Sequence, residues 1–212
     1  MGSDGILYYQ YKEAQAERRP WVSAKISVGD ITWDDNGANI QVEYELKNTG
    51  HSPAMHVQLE SKAFPSIMPQ FTTPDFELKK MLNSLSSDNH TSFGFTLFPE
   101  APEVIKDTLI ISREDIAKHI EFMGTFRSIG EPFSQKKSNA RKAAIKSIHV
   151  GIAYAIDYGF YTGELHHQTY CMVDIFKVDP AYPKVGLAIP LNINISGKDV
   201  LPVTNPYGCQ AS

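Results

Sequence analysis

The sequence predicts a mainly β protein: an immunoglobulin-like antiparallel β-sandwich of about seven or more strands with two short helical insertions. Three observations predict this fold class. Apolar and polar residues alternate in several short segments, turn-forming residues separate those segments, and two segments fit together as one β-hairpin. A β-barrel is the alternative, because alternation does not distinguish two packed sheets from one closed sheet.

Period-two alternation of apolar residues predicts the individual strands. The segments with this pattern are 22–28, 40–47, 56–60, 92–97 and 185–195. In the last segment Pro190 lies on the opposite parity and lacks a backbone donor, so an edge strand or two short strands are expected. The loop Gly29–Gly37 is predicted to join the first two strands.

The turn Asn48–Ala54 is predicted to join the second strand to the third. Asn48 and Gly50 supply left-handed backbone conformations, and Pro53 fixes the direction in which the chain enters the next strand. We therefore expect these three residues to be structural.

Two segments have apolar residues at helical spacing. They are 76–85, and the segment after Ser112, which begins with a capping-box pattern. Residues 128–146 are interpreted as an exposed loop or short helix. Residues 1–19 are interpreted as a leader and short helix following a removed membrane anchor, 20–205 as one β-sandwich domain, and 206–212 as a flexible tail.

The hairpin is predicted to consist of 149–157 and 165–175, joined by a turn with two glycines. Its predicted register places Asp157 opposite His166, Ile156 opposite His167, and Ile152 opposite Cys171. The faces then separate cleanly. One is a core face with Ile148, Val150, Ile152, Tyr154, Ile156, Cys171, Val173 and Ile175; the other is an outer face with Gly151, Ala153, Ala155, Asp157, His166, Gln168, Tyr170 and Met172.

Composition excludes some classes of protein. The 212 residues have a net charge of -4, which argues against a general nucleic-acid binder. No run of about 18 apolar residues occurs, so the chain as given does not span a membrane. Cys171 and Cys209 are the only cysteines, and sequence leaves open whether they pair, because pairing depends on geometry.

Three patterns together resemble a known group. They are Arg19-Pro-Trp-Val22, then Asn48-Thr-Gly-His-Ser-Pro-Ala54, then the hairpin pattern Tyr-x-Asp157 followed by His167-Gln-Thr-Tyr-Cys171. The chain is similar in these to uncharacterised bacterial membrane-anchored proteins with a C-terminal immunoglobulin-like β-sandwich domain. The resemblance implies a β-sandwich on the extracytoplasmic side of a membrane and implies no reaction. It also leaves His166 outside the pattern.

Asp157, His166 and His167 form the one acid–imidazole cluster that the predicted hairpin supports. Directly opposed strand residues place their Cβ atoms about 5 Å apart, so Asp157 and His166 are expected to reach each other. A base oriented by a carboxylate or half of a metal site is one interpretation. The favoured interpretation is a polar clamp that closes the hairpin, because no nucleophile and no further metal ligands have a diagnostic spacing.

Two further features suggest partners. Five basic residues without an acidic one, Lys136, Lys137, Arg141, Lys142 and Lys146, form a solvated face or contact an anionic membrane surface. Nucleic acid is the weaker interpretation, because no aromatic residue is interleaved with the charges. The weakly apolar outer face of Gly151, Ala153, Ala155, Tyr170 and Met172 is either covered by a helical insertion or a candidate surface for a protein partner or self-association.

The leading functional hypothesis is a non-enzymatic interaction or binding module of a membrane-anchored protein, with no cofactor and no metal. One alternative is a hydrolase or metal-dependent enzyme that uses Asp157 with His166 or His167. The other is a small-ligand-binding β-sandwich with a pocket beneath the helical insertions.

Overall fold

The computed structural model describes residues 19–66, 94–125, 145–159, 166–183 and 186–211. For 166, 205–208, 210 and 211 only the backbone is described. The described strands are β1 (Val22–Trp33), β2 (Gly37–Asn48), β3 (Ala54–Ser66), β4 (Phe95–Leu97), β5 (Glu103–Ser112), β6 (Ser147–Gly159), β7 (His166–Val178), β8 (Gly186–Leu187), β9 (Ile189–Pro190) and β10 (Val200–Ala211). A helix, α1 (Arg113–Thr125), follows β5, and a 3₁₀ turn (Gly197–Asp199) precedes β10.

These strands form two antiparallel sheets. The first, sheet I, has the order β1-β2-β5, and the second, sheet II, has the order β10-β7-β6-β3-β4, with β8 beside β7 and β9 beside β6. The inner faces pack together, and Tyr44 of β2 meets Tyr154 of β6 edge to face with ring centroids 5.4 Å apart. The predicted β-sandwich is confirmed, and the described strands do not close into a barrel.

The core lies between the sheets and is built by the alternating residues of both. Its members with no exposed surface are Ile31, Ile40, Tyr44, Leu46, Ala54, Ile111, Ile152, Ile156 and Ile175. They come from six strands, so apolar burial holds the two sheets to each other as well as stabilising each one.

Several strand boundaries differ from the prediction. β1 continues to Trp33, so most of the predicted loop 29–37 is strand, and the turn itself spans only 34–36. Between Val28 and Ile31 the pairing shifts, which is a β-bulge. The bulge interrupts the alternation of apolar and polar residues at Gly29. For this reason the sequence pattern predicted that the strand ends there.

Two strands were missed. β5 carries apolar residues on both parities, as does a strand buried on both faces, and therefore shows no clean alternation. β10 pairs with β7 as far as Ala211, so the predicted domain boundary at 205 falls inside a strand. The predicted strand over 185–195 is observed as two short strands, β8 and β9.

The helix predicted after Ser112 is confirmed as α1. The Ser112 hydroxyl accepts from the Asp115 N–H at 3.0 Å and donates to its carboxylate at 2.7 Å, which is a capping interaction. Arg113 ties the helix to the β1–β2 turn by donating to the carbonyl of Asp34 at 2.6 Å. The other predicted helix, 76–85, lies outside the described residues.

The hairpin of β6 and β7 is present, but its predicted register is wrong by two residues. Asp157 lies opposite Gln168, Tyr158 opposite His167, and Tyr154 opposite Cys171. A shift of two residues preserves parity, so the predicted division into a core face and an outer face still holds. The loop residues 160–165 lie outside the description.

Candidate functional site

Asn48 joins three segments of the chain at one end of the sandwich. Its side-chain oxygen accepts from the Trp21 N–H at 3.1 Å and from the Gly50 N–H at 2.9 Å. Its side-chain nitrogen donates to the carbonyls of Ser52 at 2.8 Å and Leu97 at 3.1 Å. The residue is fully buried, so these bonds satisfy the two polar atoms of a side chain that water does not reach. Asn48 is therefore structural.

Around Asn48, the first two of the three sequence patterns that carry the family resemblance are in contact. Gly50 packs against the backbone of Arg19 and Pro20 so closely that a side chain at this position has no space. The Thr49 N–H donates to the Trp21 carbonyl at 2.8 Å. Pro53 is half-buried at the entry to β3. The Arg19–Val22 and Asn48–Ala54 patterns thus act as one unit that packs the incoming chain against the β2–β3 turn.

Cys171 and Cys209 form a disulfide between directly opposed residues of β7 and β10, with Cα atoms 4.3 Å apart. Cys171 is buried in the core and Cys209 is exposed on the outermost strand of sheet II. The Tyr154 hydroxyl lies 4.0 Å from the Cys209 Sγ. The disulfide is a covalent cross-link between β10 and the central hairpin.

The acid–imidazole cluster is not assembled as predicted. Asp157 and His166 are not directly opposed, because His166 pairs with Gly159. His167 lies opposite the buried Tyr158, with ring centroids 5.8 Å apart, so its side chain is on the core face of the hairpin. Asp157 is buried, and its side chain is on the outer face of the hairpin. A carboxylate and an imidazole on opposite faces of a sheet do not form a catalytic pair directly; the His166 side chain lies outside the description.

The residues of the predicted outer face of the hairpin do lie on one face, but that face is not exposed. Ala153 and Ala155 have no exposed surface, and Met172 is 2% exposed. The Phe64 ring lies over Gly151, where a Cβ would be 2.8 Å from it. This face is therefore an interior layer of the folded chain and does not offer the free partner surface that the sequence suggested.

A different surface carries exposed apolar side chains on a sheet edge. β5 is the outermost strand of sheet I and pairs only with β2 among the described residues. Its Val104 and Ile110 are 49% and 55% exposed. They have the same parity as Lys106 and Thr108, which lie between them, so all four side chains are on the same face of the sheet. We call this set, with Asp107, the β5 edge.

The middle of the β5 edge is charged. Lys106 Nζ lies 3.2 Å from Glu43 Oε2 of the neighbouring strand, an exposed ion pair. The Asp107 carboxylate accepts from the Thr108 N–H at 2.7 Å, so it lies beside the backbone of the strand. Burial raises the pKa of Tyr44 well above its usual range, and the negative charge of Asp107 contributes in the same direction.

A groove of about 630 Å³ crosses the middle of sheet I and reaches the β5 edge. It is lined by Ser27, Val28, Gly29, Gln41, Val42, Glu43, Lys106, Asp107 and Thr108. Gly29 contributes no side chain, and a Cβ there would be 3.2 Å from Gln41 Cβ. The groove thus continues the charged middle of β5 across β2 to the bulge in β1, a place other than the predicted pocket beneath the helical insertions.

One signal for this surface is present in the sequence. Five of the ten residues of β5 are Val, Ile or Thr, which favour strands. Val104 and Ile110 differ in parity from the buried Leu109 and Ile111, but all four are apolar, so the sequence does not show which face of β5 is exposed. Only the sheet order shows that one face of β5 is open.

Other predicted features have limited structural description. Of the basic run, Lys136 to Lys142 lie outside the described residues, and Lys146 is exposed immediately before β6. In the described part of the chain no three His, Cys, Asp or Glu side chains are grouped to hold a metal ion. No helix there has both the length and the hydropathy of a membrane span.

Comparison of the chain with protein-family models, curated proteins and solved structures found no match.

Proposed function

We propose that this chain is a non-enzymatic protein-interaction domain that binds its partner at the β5 edge. The observation that carries the proposal is the exposure of Val104 and Ile110 on the outermost strand of sheet I. Val104 and Ile110 lie near the two ends of β5, with Lys106 and Thr108 between them on the same face. An edge strand that carries exposed apolar side chains is a template for pairing with another chain. A sheet edge adds unpaired backbone donors and acceptors that a partner strand satisfies.

The proposed setting is the extracytoplasmic side of a membrane. The Cys171–Cys209 disulfide supports it, because disulfides form and persist in oxidising compartments. The anchor itself is a separate part of the proposal, and the reading frame upstream of the chain tests it. A segment of about 20 apolar residues is expected there, and its absence contradicts the anchor while leaving the disulfide argument intact.

Site-specific photo-crosslinking tests the interaction role. A photo-reactive amino acid at Val104 or Ile110, in cells that make the protein, is expected to yield a discrete adduct of higher mass. Tyr182 is the matched control, because it is 67% exposed and lies in the loop after β7, on sheet II. Adducts of equal yield at all three positions, or none at Val104 and Ile110, contradict the proposal.

A further inference from the structure

The four outermost strands of the two sheets differ in how open they are. β4 has only three residues. β10 contains Pro202 and has a register shift between Thr204 and Cys209. Short strands, prolines and bulges all limit the pairing of an edge with another strand. These two edges of sheet II are therefore poor templates for an additional strand.

The β1 edge of sheet I is closed in another way. Its bulge breaks the regular run of edge groups. Ile31 exchanges two backbone hydrogen bonds of 2.9 Å with Ile195, and the Tyr154 hydroxyl donates to the Ala24 carbonyl at 3.3 Å. Edge groups that already have partners inside the chain do not bind an incoming strand.

β5 has neither a bulge nor a short length, and among the described residues its Thr108 N–H bonds only the side chain of the preceding residue, Asp107. It pairs with β2 over ten consecutive residues without a register shift, and it contains neither proline nor glycine. Every second residue of such an edge strand directs its backbone N–H and C=O away from its neighbour. Among the described strands, β5 thus offers the longest regular edge.

Charge at the centre of β5 discriminates between occupants. An antiparallel pairing of two copies centred on Asp107 would set Val104 opposite Ile110 of the second copy, which suits apolar side chains. It would also set Asp107 opposite Asp107, and like charges directly opposed destabilise a strand pair. A second copy in this register is therefore disfavoured at neutral pH, whereas a basic residue at the same place is favoured.

We propose that the β5 edge binds an antiparallel peptide strand with a lysine or arginine opposite Asp107 and apolar residues three positions before and after it. The apolar residues then lie opposite Ile110 and Val104. The basic side chain pairs with the Asp107 carboxylate, which releases the Thr108 N–H to bond the carbonyl of the incoming strand. This proposal names the partner chemistry of the interaction role above and rests on it.

A charge-swap experiment tests the assignment. Two labelled nine-residue peptides share valines three positions on either side of the centre and threonines elsewhere, and differ only in a central lysine or glutamate. Fluorescence anisotropy measures their binding to the wild-type chain and to Asp107→Lys. The wild type is expected to bind the lysine peptide about fivefold more tightly, the size of one exposed ion pair. Asp107→Lys is expected to reverse the preference, which also shows that the variant is folded.

Asp199→Lys is the matched control, because it makes the same change in net charge at an exposed position in the 3₁₀ turn. It should leave the preference unchanged. Equal affinities for the two peptides, failure of both to bind, or amide shifts confined to β1 or β10 in an NMR titration would overturn the proposal. So would a wild-type dimer at neutral pH that Val104→Ser with Ile110→Ser dissociates, since the occupant is then a second copy.

The two proposals fail in different ways. A crosslink from Val104 without charge preference between the peptides retains the interaction role and rejects the assigned partner chemistry. Absence of the crosslink rejects the interaction role, whatever the peptides do.

Discussion

A methyl group on Gly50 would lie 2.1 Å from the carbonyl oxygen of Arg19. The Cα of Pro20 and the nitrogen of Trp21 would both be 2.7 Å away. All these atoms belong to the backbone, so no flexible side chain can move aside to make space. The absence of a side chain at Gly50 thus allows the segment before β1 to pack directly against the β2–β3 turn.

Gly50→Ala is therefore expected to lower the free energy of unfolding by about 2–4 kcal/mol, in the range of strongly destabilising substitutions. Chemical denaturation measures the change. Gly159→Ala is the control, because among the described residues the nearest atom to its added Cβ is the Met55 carbonyl oxygen at 3.6 Å, an ordinary contact. Similar losses in both variants would show that the close approach at Gly50 is not the cause.

Asn48→Ala is expected to lower the free energy of unfolding by about 2–4 kcal/mol, since two buried and two partly buried hydrogen bonds are lost and each unsatisfied buried group is costly. Asn39→Ala provides the comparison, because Asn39 makes an exposed bond to Asp34 at 2.9 Å. Urea denaturation measures the stability of both variants. An equal loss of stability in Asn39→Ala would contradict this role of Asn48.

Reduction of the Cys171–Cys209 disulfide is expected to destabilise the domain by about 3–4 kcal/mol, because the cross-link closes a loop with a sequence separation of 38. Thermal unfolding with and without dithiothreitol measures the loss. The double variant Cys171→Ala with Cys209→Ala should not respond to dithiothreitol, because the chain has no other cysteines. An unchanged melting temperature of the reduced wild type would mean that β10 holds without the cross-link.

High pH is expected to destabilise the sandwich through its buried tyrosines. Burial raises the pKa of Tyr154 to about 12 and that of Tyr44 further, from an ordinary value of 10.0. Above pH 10 the unfolded chain releases these protons while the folded chain retains them, so stability falls as pH rises from 10 toward 12. Denaturation at pH 9, 10 and 11 measures the slope, and Tyr154→Phe should make it shallower. Identical slopes for wild type and variant would contradict the assignment.

Mild acid is expected to act through His119 of α1. Burial, with a smaller effect from the nearby His149, lowers the pKa of His119 below its ordinary 6.5. The unfolded chain therefore takes up a proton before the folded chain does, and stability falls as pH drops below 6.5. His119→Gln should reduce the loss of stability between pH 7 and pH 5. A loss of stability between pH 7 and pH 5 that is the same in His119→Gln and in the wild type would contradict the assignment.

The sequence predicted the fold class because burial of one sheet face imposes period-two alternation. It also predicted α1 from a capping pattern that the structure contains. It failed to place Asp157 because hairpin register depends on the loop geometry, and a shift of two residues leaves the alternation unchanged. The division into faces was thus predictable, whereas the partner of Asp157 was not.

The candidate site was not predictable for a different reason. Val104 and Ile110 are apolar yet exposed, and the sequence alone assigns such residues to the core. Their exposure follows from the position of β5 at the end of the order β1-β2-β5, which is a long-range property of the chain. The same holds for the disulfide, since only the pairing of β7 with β10 brings Cys171 and Cys209 together.

β2 and β5 are neighbours in sheet I, although β3 and β4, which lie between them in sequence, belong to sheet II. The chain must therefore leave one sheet, contribute to the other, and return before the β5 edge exists. No contiguous fragment ending before β5 contains that edge, and none beginning after β2 gives it a neighbour. The surface proposed to bind a partner therefore exists only where segments from both sides of β3 and β4 in the sequence are paired.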